Sequence, residues 1–187
     1  YGDQPEFLRI DRERLSRLTT IKSTNEISVR QVWNDGKIDN CGSVSADGEY
    51  LSFTDWGSAE LAIRNLKTGE NKQLTTEGTW INSIQFVQYS LISPDGKQVA
   101  YSWYKDRGDK GEYELRLIKV DNQKPVILYY CSKDEEIKPS LWFSNGKKII
   151  VQKYNNKSKI WQLSSVNLIN GEVQLLILKE KVPIRSL

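Results

Sequence analysis

The sequence predicts an all-β protein built from repeated, antiparallel four-stranded units, and three observations carry that expectation. A turn rich in serine, aspartate and glycine recurs as Ser45-Ala46-Asp47-Gly48, Ser93-Pro94-Asp95-Gly96 and Ser144-Asn145-Gly146, its glycines 48 and then 50 positions apart. Each turn is followed by a run rich in β-branched and aromatic residues, the composition of a strand. Each unit has room for four strands of about five or six residues with their connections, where helical repeats of that length would place apolar residues at a 3.6 period.

The turns have a physical cause. An Asp-Gly or Asn-Gly pair suits a two-residue hairpin whose central residues sit at positive φ, a region that glycine and asparagine tolerate. After the turns come Tyr50 to Trp56, Val99 to Tyr104 and Ile149 to Tyr154, then Leu61 to Leu66, Leu115 to Val120 and Leu163 to Leu168. Second turns at Thr68-Gly69, Asn122-Gln123 and Asn170-Gly171 lead to last strands at Lys72 to Thr75, Val126 to Tyr129 and Val173 to Leu176. With the runs Cys41 to Ser45, Ile84 to Ser93 and Ile137 to Phe143 before the turns, each unit has four strands. That is the size of a β-propeller blade.

Residues 26–187 are assigned to such blades, over 34–78, 79–131 and 132–180. Ile27 to Trp33 alternates like the outer strand of a blade whose other strands are missing. Residues 1–25 lie outside the repeat. Phe7, Leu8, Leu15 and Leu18 among charged residues suggest a short amphipathic helix or linker of one to three turns.

The segment from Ser43 through Asp47-Gly48 to Phe53, closing at Gln73-Leu74-Thr75, resembles the WD-like repeat of TolB-type β-propellers, as does Ser93-Pro94-Asp95-Gly96 through Tyr101. The third unit departs from the pattern, with a shortened turn and Val151 where the others carry Phe53 and Tyr101. Similar repeats occur in periplasmic scaffold proteins, in the non-catalytic domain of prolyl-oligopeptidase-like peptidases and in bacterial multidomain regulators. The resemblance implies a TolB-like partial arc that binds a protein or peptide, and it favours a periplasmic or extracellular location. The alternative is the gating propeller of a larger prolyl-oligopeptidase-like serine hydrolase whose catalytic domain lies outside this chain. A Gly-x-Ser-x-Gly elbow downstream would mark that case.

Composition narrows the chemistry. The chain has 187 residues, 27 basic and 24 acidic side chains and a net charge of +3, which argues against a dedicated nucleic-acid or membrane surface. No apolar run approaches the roughly 20 residues of a transmembrane helix. The chain has no histidine, so it cannot assemble a Ser-His-Asp or Cys-His set or the common histidine metal sites. No enzyme activity, cofactor or metal is therefore expected. Cys41 and Cys131 fall in different blades and are expected as free thiols packed like small hydrophobes. Two acidic stretches, Asp106/Asp109/Glu112 and Asp134-Glu135-Glu136, are interleaved or flanked by Lys105, Arg107, Lys110 and Lys133 and read as solvated loop charge rather than calcium loops.

Six tryptophans and nine tyrosines invite a stacking surface, but Tyr101, Trp103 and Trp142 lie in strands at inward phase and are assigned to the core. Trp56 and Trp80 fall in loops, between the second and third strands of the first blade and between the first and second blades. These two loop sets share one face of a propeller, so Asp55, Trp56, Trp80, Arg107 and Asp134 are the candidate partner-binding residues; Trp80 could equally plug the seam between blades. Three repeat markers are fewer than the four to eight blades of a closed ring. An open arc leaves apolar faces uncovered at its ends, and either further blades or self-association, two arcs forming a six-bladed ring, would cover them.

Overall fold

A computed structural model describes residues 41–108, 111–121 and 124–180 of the chain. The helix expected within residues 1–25, the strand Ile27 to Trp33, Asp109 and the turn at Asn122-Gln123 lie outside them. Among the described residues there are three four-stranded antiparallel sheets and no helix.

Blade 1 holds β1 (Ser43–Val44), β2 (Tyr50–Asp55), β3 (Glu60–Asn65) and β4 (Asn71–Gln73) in sequence order. Blade 2 holds β5 (Gln85–Ile92), β6 (Gln98–Asp106), β7 (Gly111–Lys119) and β8 (Val126–Tyr130), and blade 3 holds β9 (Glu135–Trp142), β10 (Lys148–Asn155), β11 (Ile160–Asn167) and β12 (Val173–Glu180). Their neighbours within each blade follow the chain without crossover, as short connections between antiparallel strands dictate.

The repeat turns are longer than the two-residue hairpins expected of them. Ser93 donates its amide to the Gln98 carbonyl at 2.8 Å, and its own carbonyl accepts the Gly96 amide at 2.9 Å. Four residues therefore lie between the paired ends, and of these only Gly96, at φ 68°, is left-handed. The side chains explain this choice. Ser93 Oγ donates to Asp95 Oδ1 (2.6 Å) and accepts from the Gln98 amide (2.9 Å), while Asp95 Oδ1 also accepts from Lys97 N (3.1 Å). These bonds supply the turn with polar partners that a tighter loop would not reach. Ser45 and Asp47 make the same three bonds in blade 1. The third turn is not shortened: Phe143 occupies the serine position, donating to Lys148 O and accepting from Gly146 N, both at 2.9 Å. It keeps the backbone geometry and Asn145 Oδ1 accepting from Lys147 N at 3.0 Å.

A second turn, five residues long, also repeats. Asp55, Asn65, Asn155 and Asn167 each accept through the carbonyl from the amide four residues on, at 2.7–2.8 Å, and through Oδ1 from the amide two residues on. The fifth residue of each is left-handed: Ala59, Gly69, Lys159 and Gly171.

Side-chain alternation then builds the two seams. In blade 2, Val99, Tyr101 and Trp103 are fully buried and face blade 1 with Ile118, against Leu61, Ile63 and Leu74. Ala100 and Leu115 face the other way and pack with Ile137, Trp142, Ile149, Val151 and Val166 of blade 3. Trp142 closes this second seam by donating its indole N–H to Leu91 O at 3.2 Å. Tyr101, Trp103 and Trp142 are thus core residues, as their phase implied. Cys41 and Cys131 are partly buried thiols outside any disulfide, Cys131 packing against the second core, where burial pushes its thiol pKa up.

Candidate functional site

The β2–β3 turn, the β4–β5 connection and the start of β5 meet at one end of the seam between blades 1 and 2. The five-residue turn that begins at Asp55 projects Trp56, and the connection delivers Trp80 against it. Their rings stack with centroids 5.2 Å apart and an 11° interplanar angle, and Trp80 donates its indole N–H to Trp56 O at 3.0 Å. Phe86 on β5 lies 5.9 Å from Trp56 and 5.0 Å from Trp80. Tyr104 on β6 lies 4.9 Å from Phe86, and Tyr113 on β7 lies 5.2 Å from Tyr104. The cause is register: Phe86 pairs with Tyr104 and Tyr104 with Tyr113 across adjacent strands, so three aromatics share one row. Trp56 is 41% exposed at the outer end of this row, and Ile81 beside Trp80 is 72% exposed.

The five sequence candidates do not converge. Trp56 and Trp80 meet. Asp55 shapes the turn that carries Trp56, its Oδ1 accepting from the Gly57 amide at 2.9 Å. Arg107 pairs with Glu112, near the start of β7, at 3.1 Å, both well exposed. Asp134 is left-handed at φ 69° and accepts the Asn156 amide through its carbonyl at 2.6 Å, which places it beside blade 3. Phe86, Tyr104 and Tyr113 were missed as members of the row; their register supplies the signal, since each aligns only once β5, β6 and β7 are paired.

On the opposite face of β6 and β7 from Tyr104 and Tyr113, beginning one residue along from that pair, lies a buried polar network that no sequence motif announced. Arg116 on β7 donates to Glu114 Oε2 at 2.7 Å and to Glu77 Oε2 at 3.0 Å, and Lys105 meets Glu114 Oε1 at 2.5 Å. The guanidinium lies 4.6 Å over the Trp103 ring, a stacked and charge-paired setting that suits arginine. Burial opposes ionisation of Glu114, yet its bonds from Lys105 and Arg116 outweigh that and hold its carboxyl below the ordinary range. Glu60 is the counter-case: burial holds its carboxyl above the ordinary range, although Thr75 Oγ1 and the Gly78 amide both donate to it. Thr75 in turn accepts the Leu61 amide at 2.9 Å, which accounts for the threonine that closes the first repeat. Residue 78 must be glycine because a Cβ there would stand 2.6 Å from Ala59 O.

The second seam holds a simpler pair. Glu135, the first residue of β9, is buried and meets Lys153 at 2.9 Å. Tyr129 Oη, Ser132 N and Ser132 Oγ also donate to it, at 3.0, 3.0 and 3.2 Å. Glu135 is therefore not the solvated loop charge expected of the Asp134-Glu135-Glu136 stretch: Lys153 comes from β10, and only the paired sheet brings it near. Among the described residues no group of acidic or cysteine side chains is arranged to hold a metal ion, and no helix is long and apolar enough to cross a membrane.

No protein-family model matches the chain, and no curated protein sequence matches it significantly. Solved structures do match in fold. Dipeptidyl peptidase 4 from Porphyromonas gingivalis aligns with a TM-score of 0.61 at 14% identity, over 79% of this chain and 26% of that protein. TolB from Acinetobacter baumannii aligns at 0.55 and 20% identity, over 78% and 34% of the two chains. Acylaminoacyl peptidase from Pyrococcus horikoshii aligns at 0.53 and 14% identity, over 75% and 25%. The chain thus spans 25–34% of the length of these proteins, and at such identities the likeness is one of fold. The described residues are three blades of a β-propeller fold.

Proposed function

We propose that this chain is a non-catalytic propeller module that binds a protein or peptide through the loop face at the seam between blades 1 and 2. The observation that carries this reading is the Trp56–Trp80 stack, with Trp56 half-open on a turn whose Trp56 carbonyl also accepts the Trp80 indole N–H. Large aromatic side chains already fixed by stacking lose little entropy on contact, which is why tryptophan is over-represented among residues that dominate binding energy. Exposed Ile81 extends the apolar centre. The chain contributes no histidine for acyl-transfer chemistry, so turnover of ester and peptide substrates is expected at background.

Panning a random peptide library against the protein tests the reading. Enriched peptides should lose about tenfold or more in affinity on Trp56→Ala, the loss expected of a central aromatic anchor, with the thermal midpoint little changed because Trp56 is partly exposed. Absence of enrichment, or peptides indifferent to Trp56 and Trp80, would overturn it.

A further inference from the structure

We propose that a pocket between blades 1 and 2, at the opposite end of the seam from the tryptophan stack, binds a carboxylate carried on a small apolar body, as at the C-terminus of a peptide or in a free amino acid. Tyr50 opens β2 and Trp56 follows its end, so the two sites lie a strand's length apart. The pocket has a volume of about 590 Å³, the size of a small-molecule site, and every residue lining it is among those described.

The two seams differ at this end. Register makes Ile63 of β3 equivalent to Leu117 of β7, and their partners on the outer strands, Lys72 and Val126, equivalent to each other. Seam 2–3 is filled here: Leu117, Leu128, Leu168 and Val173 pack against its core, and the turn at Gly171 closes on β8, where a Cβ would stand 2.7 Å from Leu128 O. Seam 1–2 has only the three-residue β4, which brings Asn71 and Lys72 in place of apolar side chains. Tyr50, Ile63 and Val120 are left as an apolar wall with polar groups around it.

Hydrogen-bond capacity identifies the ligand. Asn65 Oδ1 is taken by the amides of Lys67 and Thr68, at 2.8 and 2.9 Å, and Asn71 Oδ1 by Arg64 at 2.9 Å. Both side chains therefore keep their NH2 groups, which only donate, for a ligand. Lys72 donates one proton to Val120 O at 2.7 Å and has two more. Against these stands one carboxylate, Glu70, which accepts from Thr68 Oγ1 at 3.4 Å. Three donor groups, one of them cationic, call for a carboxylate, whose charge-assisted bonds are the strong ones. Glu70 suits the N–H that stands beside that carboxylate in an amino-acid residue, and the apolar wall suits its side chain.

Methyl chemical shifts of Ile63 and Val120 read the site directly. N-acetyl-leucine at millimolar concentration should move both saturably and leave Ile81, beside the tryptophans, unmoved. N-acetyl-leucinamide, which lacks the charge, should bind at least about tenfold more weakly, the worth of one bond to a charged group. Lys72→Glu and Asn71→Asp, both exposed and outside the cores, should weaken N-acetyl-leucine to the same degree with little change in thermal midpoint. Trp56→Ala should bind it like the parent, so this site stands or falls apart from the proposed recognition surface. Tighter binding of N-acetyl-leucine than of leucine assigns the site to a peptide end; the reverse assigns it to a free amino acid, whose ammonium meets Glu70. Absence of saturable shifts, equal binding of the amide, indifference to both pocket variants, or loss of binding in Trp56→Ala would each overturn the proposal.

Discussion

Seam 1–2 closes over a chain of charges, Lys105, Glu114, Arg116 and Glu77, with Glu60 beside them, whereas seam 2–3 closes over the single pair Glu135–Lys153 ringed by Tyr129 and Ser132. Apolar packing is similar in the two, so the difference lies in how a buried charge is kept satisfied. In the first seam one guanidinium serves two carboxylates, of which only Glu114 has a second cation, Lys105. In the second, one carboxylate collects four donors, and no single partner is indispensable. The first seam also carries the stacked tryptophans at its mouth. The proposed recognition surface and the less redundant network therefore lie at the same seam, and functional sites tend to depart from the most forgiving packing.

Several substitutions would sharpen or break this contrast, the largest at Arg116. Arg116→Met breaks the buried Arg116–Glu114 pair, leaving Glu114 with Lys105, and returns the half-exposed Glu77 to solvent; it should cost about 3–5 kcal/mol, the usual penalty for breaking a buried ion pair,. Urea denaturation reads it directly, and a loss below about 1 kcal/mol would mean that the network relaxes into water.

Lys153→Met should cost less, about 1–3 kcal/mol, because Tyr129 and both donors of Ser132 still hold Glu135. It should also change the acid limb. Burial opposes ionisation of Glu135, but Lys153 and the Ser132 amide outweigh it, so its folded value lies below the ordinary 4.5. The folded state then binds fewer protons than the unfolded one, and the stability this gives is present above pH 4.5 and lost as pH falls through the lower folded value. Lys153→Met should flatten that decline. Glu60 has the opposite sign: its raised value makes a contribution that is present below 4.5 and lost as pH rises through the folded value,. A decline unchanged in Lys153→Met would show that Glu135 takes its low value from elsewhere.

Two smaller effects separate the repeat turns. Gly96→Val should cost about 1–2 kcal/mol through its left-handed backbone alone, since nothing stands within 4 Å of the added Cβ. Ser93→Ala removes two side-chain bonds and should cost about 1 kcal/mol, whereas Phe143→Ala in the third turn leaves every turn bond in place. If Ser93→Ala and Phe143→Ala shift the denaturation midpoint equally, the hydroxyl bonds contribute nothing that the backbone turn does not already supply.

The sequence alone determined the fold class, the four strands of each blade and the burial of Tyr101, Trp103 and Trp142, because alternation and turn glycines are local signals that act within about six residues. It also brought Trp56 and Trp80 forward, since their loops follow from strand order. The length of the repeat turns escaped it, for the bonds of Ser93 and Asp95 compete with the shorter hairpin on energies too small to show in a motif. Only the tertiary structure decided which charges are buried, as Arg116 with Glu77 and Lys153 with Glu135 join residues 39 and 18 positions apart. Such pairs become visible when the sheets stack and water is excluded, because the strength of a charge pair is set by its surroundings rather than by its spacing along the chain.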